Sequence, residues 1–453
     1  SFAGQMTGVE GYVESCASGF LVGVETARRL QGKAPIDFPQ ETAIGALGLY
    51  VSNESIGSFQ PMNINFGIMP QLGYRVKGKR GAFEALAREN RDAAGGGARQ
   101  VKIIVDAMGG DNAPLEIVKG ALQGRARWGV DIVLTGDAAQ ILRALEECGE
   151  KTVPQGVEIA NATQTVEMCD DPATVFRRKK DTSMGVGLTM LRDGKADALV
   201  SAGSTGALLT GATLITKRVR GIRRAAMAPV IPTTTGRAVL IDCGANAECT
   251  PEYLVQFAQM GEVYMNAIMG VERPKVGLLN IGEEDTKGDL FAQEAHRLLS
   301  ETVPAFAGNC EGGDLMAGDF DVVVTDGFTG NVCLKTIEGT AKTLMRNLKA
   351  ALMSTALSKV GALLVKGPLG ALKEKMSPDT YGGTPLLGVK GAVIVGHGSS
   401  NETAVKNGIA VAAATVRAHV PEVIAERVAA APASASATVG AEEKGEAAVS
   451  DAR

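Results

Sequence analysis

The sequence predicts an α/β protein with a mainly parallel sheet, and three observations support this prediction. Short apolar runs alternate with longer helix-like stretches from residue 101 to about residue 428. The runs are continuously apolar, which is typical of strands that helices cover on both faces. Polar, glycine-bearing turns follow many of them. Because alternation of strands and helices favours a parallel sheet, ligands are expected at the carboxyl ends of the strands.

The composition favours a globular cytosolic protein. The 453 residues can form two or three domains, and 45% of them are hydrophobic against 21% charged. A net charge of −4 argues against a general nucleic-acid coat but is compatible with a local basic patch. The seven cysteines form no CxxC pair and are typical of reduced thiols. The sequence shows no secretory signal and no bilayer-spanning run, so we expect a cytoplasmic location and no nucleic-acid partner.

The apolar runs give eight strand candidates. Between them lie helix-like segments, of which Ala138–Glu147 and Tyr253–Met269 are the clearest. The strand candidates are Val101–Val105, Asp131–Leu134, Val157–Ala160, Ala198–Val200, Val239–Ile241, Lys275–Leu279, Val322–Val324 and Ala392–Val395.

The turn after the first candidate strand has the features of an anion site. The strand leads into Asp106, Gly109 and Gly110 follow, and Asp111 or Asn112 is the expected N-cap of the next helix. Glycines allow close approach of a ligand, and the free N–H groups of a helix start attract anions. Alone, this stretch is better interpreted as an ordinary βα turn, but the chain repeats the pattern.

Similar turns follow several other candidate strands. Simple chain reversal or helix capping explains each turn singly, but in a doubly wound sheet they would converge on one crevice and bind an oxyanion such as phosphate. Asp106, Asp242 and Asp326 each follow a strand and would form a shared polar floor. The candidate substrate-binding and charge-balancing residues in these turns are Ser204, Thr205, Gly206, Asp242, Asn246, Glu283, Lys287, Asp326, Thr329, Asn331 and Lys335.

The sequence contains no recognisable nucleophile motif. There is no GxSxG elbow, zinc-ligand spacing or Walker A loop, so we expect no metal and no cofactor. His397 follows the last candidate strand and could donate a proton. These features favour a reaction that needs no enzyme nucleophile.

Residues 353–376 form a candidate amphipathic hairpin that continues a helical face beginning near Ile337. Gly367-Pro368 is expected to break the helix before a second short piece. The polar side is rich in lysine, which suits an anionic membrane surface, whereas a dimer seam or core helix explains the pattern equally well. The candidate membrane contacts are Leu357, Val360, Leu364, Leu369 and Leu372.

Residues 1–92 form a separate compositional unit, either a small glycine-rich packing module or a phosphate or flavin contact at Gly4–Gly11. Three phrases, Gly4–Tyr12, Pro39–Leu47 and Gln60–Gly67, resemble the C-terminal end of the folate- and FAD-dependent tRNA (uracil-5-)-methyltransferases. The dinucleotide fingerprint GxGxxG that this family carries is missing, so we interpret the unit as an inactive remnant. Because the chain begins at Ser1 within a motif, we expect a truncated or fused reading frame.

Two further segments delimit the main domain, which is expected to span residues 101–428. Residues 93–100 are rich in glycine and alanine and are expected to be a flexible linker. Residues 429–453 are rich in alanine, serine and glutamate without periodicity and are expected to be a disordered tail.

Residues 101–428 resemble the bacterial phosphate acyltransferases of phospholipid synthesis, in several motifs that occur in the same order. The resemblance implies transfer of a long acyl chain from acyl carrier protein to inorganic phosphate. It also implies a homodimer attached peripherally to the membrane, which supplies a downstream membrane glycerol-phosphate acyltransferase. The implied fold has three layers and is similar to those of phosphotransacetylases and isocitrate/isopropylmalate dehydrogenases. The motifs are Asp106–Pro114, Ser201–Ala207, Asp242–Asn246, Asn280–Glu284, Asp326–Asn331 and Tyr381–Gly388.

The expected chemistry assigns roles to four residues. Phosphate is already a nucleophile and needs only to be held beside the thioester carbonyl. Asn246, Asn331 or turn amides would stabilise the oxyanion, and Lys287 or Lys335 would offset the phosphate charge. Lys335 and Asn331 are the residues expected to hold phosphate. Three alternatives stay open: a short-chain phosphotransacetylase that uses acyl-CoA, a non-catalytic membrane scaffold, and tRNA methylation by residues 1–92.

Overall fold

The computed structural model describes residues 100–375 and 377–430, together with Arg28 and Leu30. The chain divides into two units, Ser1–Gln100 and Val101–Arg453, and every element named below belongs to the second. The expectations for residues 1–92, for the linker up to residue 99 and for residues 431–453 lie outside the described residues.

Twelve strands form two sheets in the described part of the chain. All eight candidate strands are present, with ends that differ by up to two residues. The strands are β1 (Lys102–Asp106), β2 (Asp131–Gly136), β3 (Val157–Asn161), β4 (Ala198–Ser201), β5 (Ala226–Met227), β6 (Val230–Pro232), β7 (Arg237–Ile241), β8 (Val276–Leu279), β9 (Phe306–Cys310), β10 (Val322–Val324), β11 (Thr384–Leu387) and β12 (Ala392–Val395).

Most strand pairs are parallel, as predicted, but the expectation of a single sheet is wrong. The seven-stranded sheet has the order β3-β2-β1-β4-β12-β11-β5, and only β11 runs against its neighbours. The five-stranded sheet has the order β6-β7-β10-β8-β9, and only β6 runs against its neighbour. The short strands β5 and β6 follow one another in the chain and belong to different sheets, which is where the predicted single sheet divides.

Thirteen α-helices lie between and after the strands of this part of the chain, and a five-residue π-helical segment, Ala212–Thr216, extends one of them. No single described helix is both long and apolar enough to cross a membrane, although the bent pair Glu402–Arg417 and Val420–Ala430 meets that criterion together. The helices are α1 (Leu115–Trp128), α2 (Ala138–Glu147), α3 (Val175–Arg178), α4 (Ser183–Arg192), α5 (Thr205–Gly211), α6 (Pro251–Met269), α7 (Leu290–Thr302), α8 (Gly312–Ala317), α9 (Gly327–Leu352), α10 (Ala356–Lys375), α11 (Pro378–Tyr381), α12 (Glu402–Arg417) and α13 (Val420–Ala430).

Helices cover both faces of the seven-stranded sheet. In β1, Ile103 and Val105 belong to a hydrophobic cluster with residues of α1, α2 and α12. Ile104, between them, belongs to a second cluster with residues of α4 and α5. Successive strand side chains point to opposite faces, so both faces are buried and the layer order is helix, sheet, helix. This arrangement confirms the predicted α/β class.

The expected N-cap of the first helix is wrong. Helix α1 begins at Leu115 after Pro114, and no side chain caps it. Asn112 instead donates from Nδ2 to the carbonyl oxygens of Ser399 and Ser400, at 3.2 and 3.1 Å. A long-range contact with the turn after β12 therefore replaces the local cap.

The expected helix break at Gly367-Pro368 is also wrong, because α10 runs through Pro368. Proline has helical φ, but inside a helix it removes the N–H bond to the carbonyl four residues earlier and its ring crowds that carbonyl, which here belongs to Leu364. Leu364 is 81% exposed, so water can satisfy that carbonyl. At the C-terminal end, α13 extends to Ala430, two residues into the segment expected to be a disordered tail.

Candidate active site

The polar turns gather in two groups, because the strands that carry them belong to two sheets. The Asp106 group contains the turns after β1, β4 and β12, and the Asp242 group contains the turns after β7 and β10. Each group is built around a buried aspartate, and the shared crevice stays a prediction.

Asp106 is buried beneath the first group. Ser201 Oγ donates to Asp106 Oδ2 at 2.7 Å, and the backbone N–H of Met108 lies 3.4 Å from Oδ1. Burial raises the pKa of Asp106, while hydrogen bonds from Ser183 and Ser201 act in the opposite direction. Asp106 therefore ties the turn after β1 to the end of β4, which lies beside it in the sheet.

The glycines of the first turn permit this close packing. A Cβ atom on Gly109 would lie 2.8 Å from both Asp106 Oδ2 and the backbone nitrogen of Gly203. Gly110 has φ near +102°, a conformation that favours glycine. The backbone N–H of Asp111 donates to the carbonyl oxygen of Gly398 at 2.7 Å. The three turns of the Asp106 group are thus in direct contact.

The other residues predicted in this group have local roles. Ser204 is the N-cap of α5, and its hydroxyl accepts from Ala207 N–H at 3.5 Å, which supports the capping interpretation. Thr205 is exposed, and Gly206 is half-buried in the same helix start. His397 is exposed, with Nδ1 2.8 Å from Ser399 Oγ.

Asp242 is fully buried and organises the second group. Its Oδ1 accepts from the backbone N–H groups of Met227 at 2.8 Å and Ala245 at 3.2 Å. Its Oδ2 accepts from Asn246 twice, from the backbone at 2.7 Å and from Nδ2 at 3.0 Å. Burial raises the pKa of Asp242, and these hydrogen bonds oppose that rise. The carboxyl group therefore fixes the turn after β7 against β5.

Asn246 is a positioning residue in this geometry. Besides Asp242, its Nδ2 donates to the carbonyl oxygen of Ala225 at 2.8 Å, so both amide hydrogens are engaged. Its backbone carbonyl accepts from Gly327 N–H at 2.8 Å. These contacts leave Asn246 without an amide hydrogen for an oxyanion, which departs from the role expected for it.

The first turn of α9 packs directly on the Asp242 turn. Asp326 is the N-cap, and its Oδ1 accepts from Thr329 N–H at 2.8 Å. A Cβ atom on Gly327 would overlap the Asn246 carbonyl oxygen, and one on Gly330 would overlap that of Asp242. Glycine at both positions therefore allows the 26-residue helix to begin against this turn.

Asn331 and Thr329 present polar side chains at this helix start. Both are exposed, and the Asn331 side chain lies beside Gly244, with Cγ 3.5 Å from the position that a Gly244 Cβ would take. Gly244 has φ near +104°, so this close approach also depends on glycine. The Asp242 group therefore brings together three predicted residues at one helix N-terminus.

The predicted lysines pair with glutamates of their own segments. Lys335 is about two turns from the start of α9, with Nζ 3.2 Å from a carboxylate oxygen of Glu338. Lys287 lies in the turn after β8, with Nζ 3.7 Å from Glu284. Glu283 is an exposed residue of the same turn. No described contact joins either lysine to Asp242.

Sequence reasoning missed the long-range partners of both aspartates. Ser201 is 95 positions from Asp106, and Met227 is 15 positions from Asp242. The sequence shows that Ser201 ends an apolar run. That this strand lies beside β1 is visible only in the sheet order. Within residues 100–375 and 377–430, no group of three or more His, Cys, Asp or Glu side chains could hold a metal ion.

Comparison with known proteins identifies the family. The model of the family described as "Fatty acid synthesis protein" matches residues 101–423. A phosphate acyltransferase from Desulfitobacterium hafniense (strain Y51) is 48% identical over 313 residues, covering 69% of this chain and 92% of that protein. One from Anaeromyxobacter sp. (strain K) is 45% identical over 328 residues, covering 72% and 90%. A second family model, "Glucose inhibited division protein A", matches only residues 1–34.

Solved structures of low sequence identity align with most of this chain. A phosphotransacetylase from Streptococcus pyogenes has a TM-score of 0.48 and 17% identity, covering 70% of this chain and 94% of that one. A 4-hydroxythreonine-4-phosphate dehydrogenase from Klebsiella pneumoniae has a TM-score of 0.41 and 12% identity, covering 71% and 99%.

This α/β protein, with its two groups of polar turns at the strand ends, is an acyltransferase. It belongs to the phosphate acyltransferase family, whose model and relatives match it over most of its length.

Proposed function

We propose that this enzyme transfers a long acyl chain from the thioester of acyl carrier protein to inorganic phosphate. The product is an acyl phosphate for phospholipid synthesis. The relatives named phosphate acyltransferase support phosphate as the acceptor, and the family description supports a place in fatty acid synthesis. The structural observation that carries the proposal is the Asp242 turn packed against the N-terminus of α9.

The N-terminus of α9 is the proposed phosphate position. The helix dipole favours an anion at a helix start, and this helix is long. The Thr329 hydroxyl and the Asn331 amide lie at this end and can add hydrogen bonds to phosphate oxygens. Lys335 and Lys287 can turn from their glutamates towards a bound anion, because exposed ion pairs contribute only about 0–1 kcal/mol.

The reaction needs no enzyme nucleophile. A phosphate oxygen attacks the thioester carbonyl carbon, the new C–O bond forms, and collapse of the tetrahedral intermediate breaks the C–S bond. The thiolate of the phosphopantetheine arm leaves and is protonated by solvent. Backbone amides of the turn are the proposed donors to the carbonyl oxyanion, while Asp242 and Asn246 hold the turn in place.

Replacement of Asn331 tests the proposed phosphate position. With palmitoyl-carrier-protein as acyl donor, Asn331→Ala should raise the KM for phosphate by about tenfold, the effect of losing one charge-assisted hydrogen bond. Asn347→Ala, at an exposed position further along α9, is the matched control. Unchanged phosphate kinetics in Asn331→Ala would remove Asn331 from the site. Preference for acetyl-CoA would favour a short-chain phosphotransacetylase, and absence of acyl phosphate would favour a scaffold.

We also propose that the enzyme is cytoplasmic, homodimeric and bound peripherally to the membrane through α10. Leu357 is 83% exposed, and Val360 and Leu364 are also exposed, one and two turns further along the helix. Leu369 is half-buried, and the side chain of Leu372 is outside the described set. An exposed apolar stripe with lysines beside it suits anionic lipid. Attachment there would deliver acyl phosphate to a membrane glycerol-phosphate acyltransferase.

A further inference from the structure

The segment between Asp197 and Asp242 has an unusual charge pattern. It contains no aspartate or glutamate, although the whole chain carries a net charge of −4. A concentration of one sign of charge raises the local electrostatic potential and attracts a partner of opposite sign. The basic residues of the segment are Lys217, Arg218, Arg220, Arg223, Arg224 and Arg237.

The fold gathers most of these residues at one place on the surface. We call Lys217, Arg218, Arg220, Arg224 and Lys390 the cationic rim, and all five are exposed. The backbone N–H of Lys390 donates to the carbonyl oxygen of Lys217 at 2.8 Å, and Arg218 forms a β-bridge with Val389. The distant Lys390 is therefore brought beside the acid-free segment.

The cationic rim has no carboxylate partner within the described part of the chain. None of its residues forms an ion pair there, whereas Arg427 at the neighbouring helix α13 pairs with Glu262 at 2.8 Å. Arg224 lies over the ring of Tyr253, 5.7 Å from its centroid. Unpaired like charges repel one another and so destabilise the folded unit. Their grouping therefore favours a role in binding a partner of opposite charge.

The cationic rim adjoins the Asp242 group. Arg224 directly precedes Ala225, whose carbonyl accepts from Asn246 Nδ2 at 2.8 Å. Two residues further, Met227 N–H donates to Asp242 Oδ1 at 2.8 Å. A macromolecule held on the rim would therefore lie next to the turn that packs on the start of α9.

We infer that the cationic rim docks an acidic surface of the acyl carrier protein and so presents its thioester to the Asp242 group. This inference rests on the proposed function, because it assigns a docking surface to the donor in that reaction. Charge complementarity at an interface speeds association and sets specificity. A lipid surface fits the rim less well, because Leu214 is the only large exposed apolar side chain beside it within the described residues, whereas α10 offers several.

The test is a triple charge reversal, Lys217→Glu, Arg218→Glu and Arg220→Glu, in the full chain. The KM for palmitoyl-carrier-protein should rise by about tenfold or more, and its dependence on salt should weaken. The kcat at saturating donor and the KM for phosphate should stay unchanged. The control reverses three exposed cations elsewhere, Arg143→Glu, Lys151→Glu and Lys195→Glu, with the same change in net charge.

Several results would overturn the inference. These are an unchanged KM for the carrier protein, an equal rise in the control, or a loss of binding to anionic phosphatidylglycerol vesicles without a change in KM. If the triple variant does not fold, Lys217→Ala with Arg220→Ala should show a smaller rise of the same kind. If the wild-type protein makes no acyl phosphate, the proposed function fails and the docking role fails with it. If it makes acyl phosphate but the rim variants match it, only the docking role fails.

Discussion

Gly330 occupies a position on α9 where no side chain fits. A Cβ atom there would overlap the carbonyl oxygen of Asp242, whereas Gly339 on the same helix has no atom within 4 Å of its Cβ position. Gly330→Ala should therefore lower the free energy of unfolding by about 1–3 kcal/mol, the usual cost of overpacking. Gly339→Ala should raise it by about 0.5–1 kcal/mol, because alanine is the better helix former. Urea unfolding of both variants measures the difference, and equal effects would contradict the packing of α9 on the Asp242 turn.

Asp106 should give the stability of the protein a distinctive pH dependence. Because burial raises its pKa, the folded protein holds this proton more tightly than the unfolded chain. The stability that protonated Asp106 contributes is complete below the ordinary aspartate pKa. It is lost as the pH rises through the pKa that Asp106 has in the folded protein. Asn does not titrate, so the stability of Asp106→Asn relative to wild type should improve as the pH rises above about 4, the ordinary aspartate pKa. Urea unfolding across this range gives the slope.

Asp170 supplies the control for the Asp106 experiment, with the opposite sign. The hydrogen bond from Lys179 lowers the pKa of Asp170. The stability that Asp170 contributes is therefore present above the ordinary aspartate pKa and is lost as the pH falls through the folded-state pKa. The stability of Asp170→Asn relative to wild type should therefore worsen as pH rises. Equal slopes for the two variants would show that Asp106 is not held in the buried environment described.

At the scale of elements, helix α10 carries the prediction of membrane contact. Leu357→Glu with Leu364→Glu should release the protein from anionic vesicles. A glutamate side chain loses hydration at the membrane at a cost in free energy, whereas burial of a leucine side chain there is favourable. Acyl phosphate formation with soluble carrier-protein thioester should survive. Vesicle sedimentation and the soluble assay measure the two effects.

The control for the α10 variant changes two exposed apolar residues elsewhere, Leu142→Glu and Val153→Glu. It has the same change in net charge and should keep vesicle binding. If the α10 variant stays bound to vesicles, or if it loses solubility or activity, the helix has a structural role such as a dimer seam.

The strands show which elements the sequence can predict. Runs such as Val322–Val324 are apolar throughout and are bounded by polar turns, so their strand type is visible in the pattern. Four strands were missed because tertiary pairing overrides weak local patterns. Ala226–Met227 is too short to show a period, Thr384–Leu387 contains proline, and Phe306–Cys310 contains Gly308 and Asn309.

The candidate site divides in the same way. Asp106 and Asp242 were found because each follows an apolar run, and the glycines after them were visible as turns. Their partners depend on which strands become neighbours, and neighbouring strands such as β1 and β4 are far apart in the chain. The engaged amide of Asn246 also could not be foreseen, since one of its acceptors is the carbonyl of Ala225, 21 positions away.

The whole molecule gives the last prediction, which concerns residues 101–430. All twelve described strands and all three buried hydrophobic clusters lie within these residues. The family match covers residues 101–423 and includes most of the length of the relatives. The segment should therefore fold alone and form acyl phosphate with the same kcat and KM as the full chain.

Parallel assays of the full chain and of residues 101–430, with palmitoyl-carrier-protein and phosphate, test this independence. Thermal unfolding of both proteins should show the same transition for the segment, because the residues of its described hydrophobic clusters all belong to it. Lower activity or a lower melting temperature for the segment would mean that the preceding residues contribute to the enzyme. Flavin absorbance in the purified full chain, together with methylation of tRNA uracil, would instead show that residues 1–92 keep a separate function.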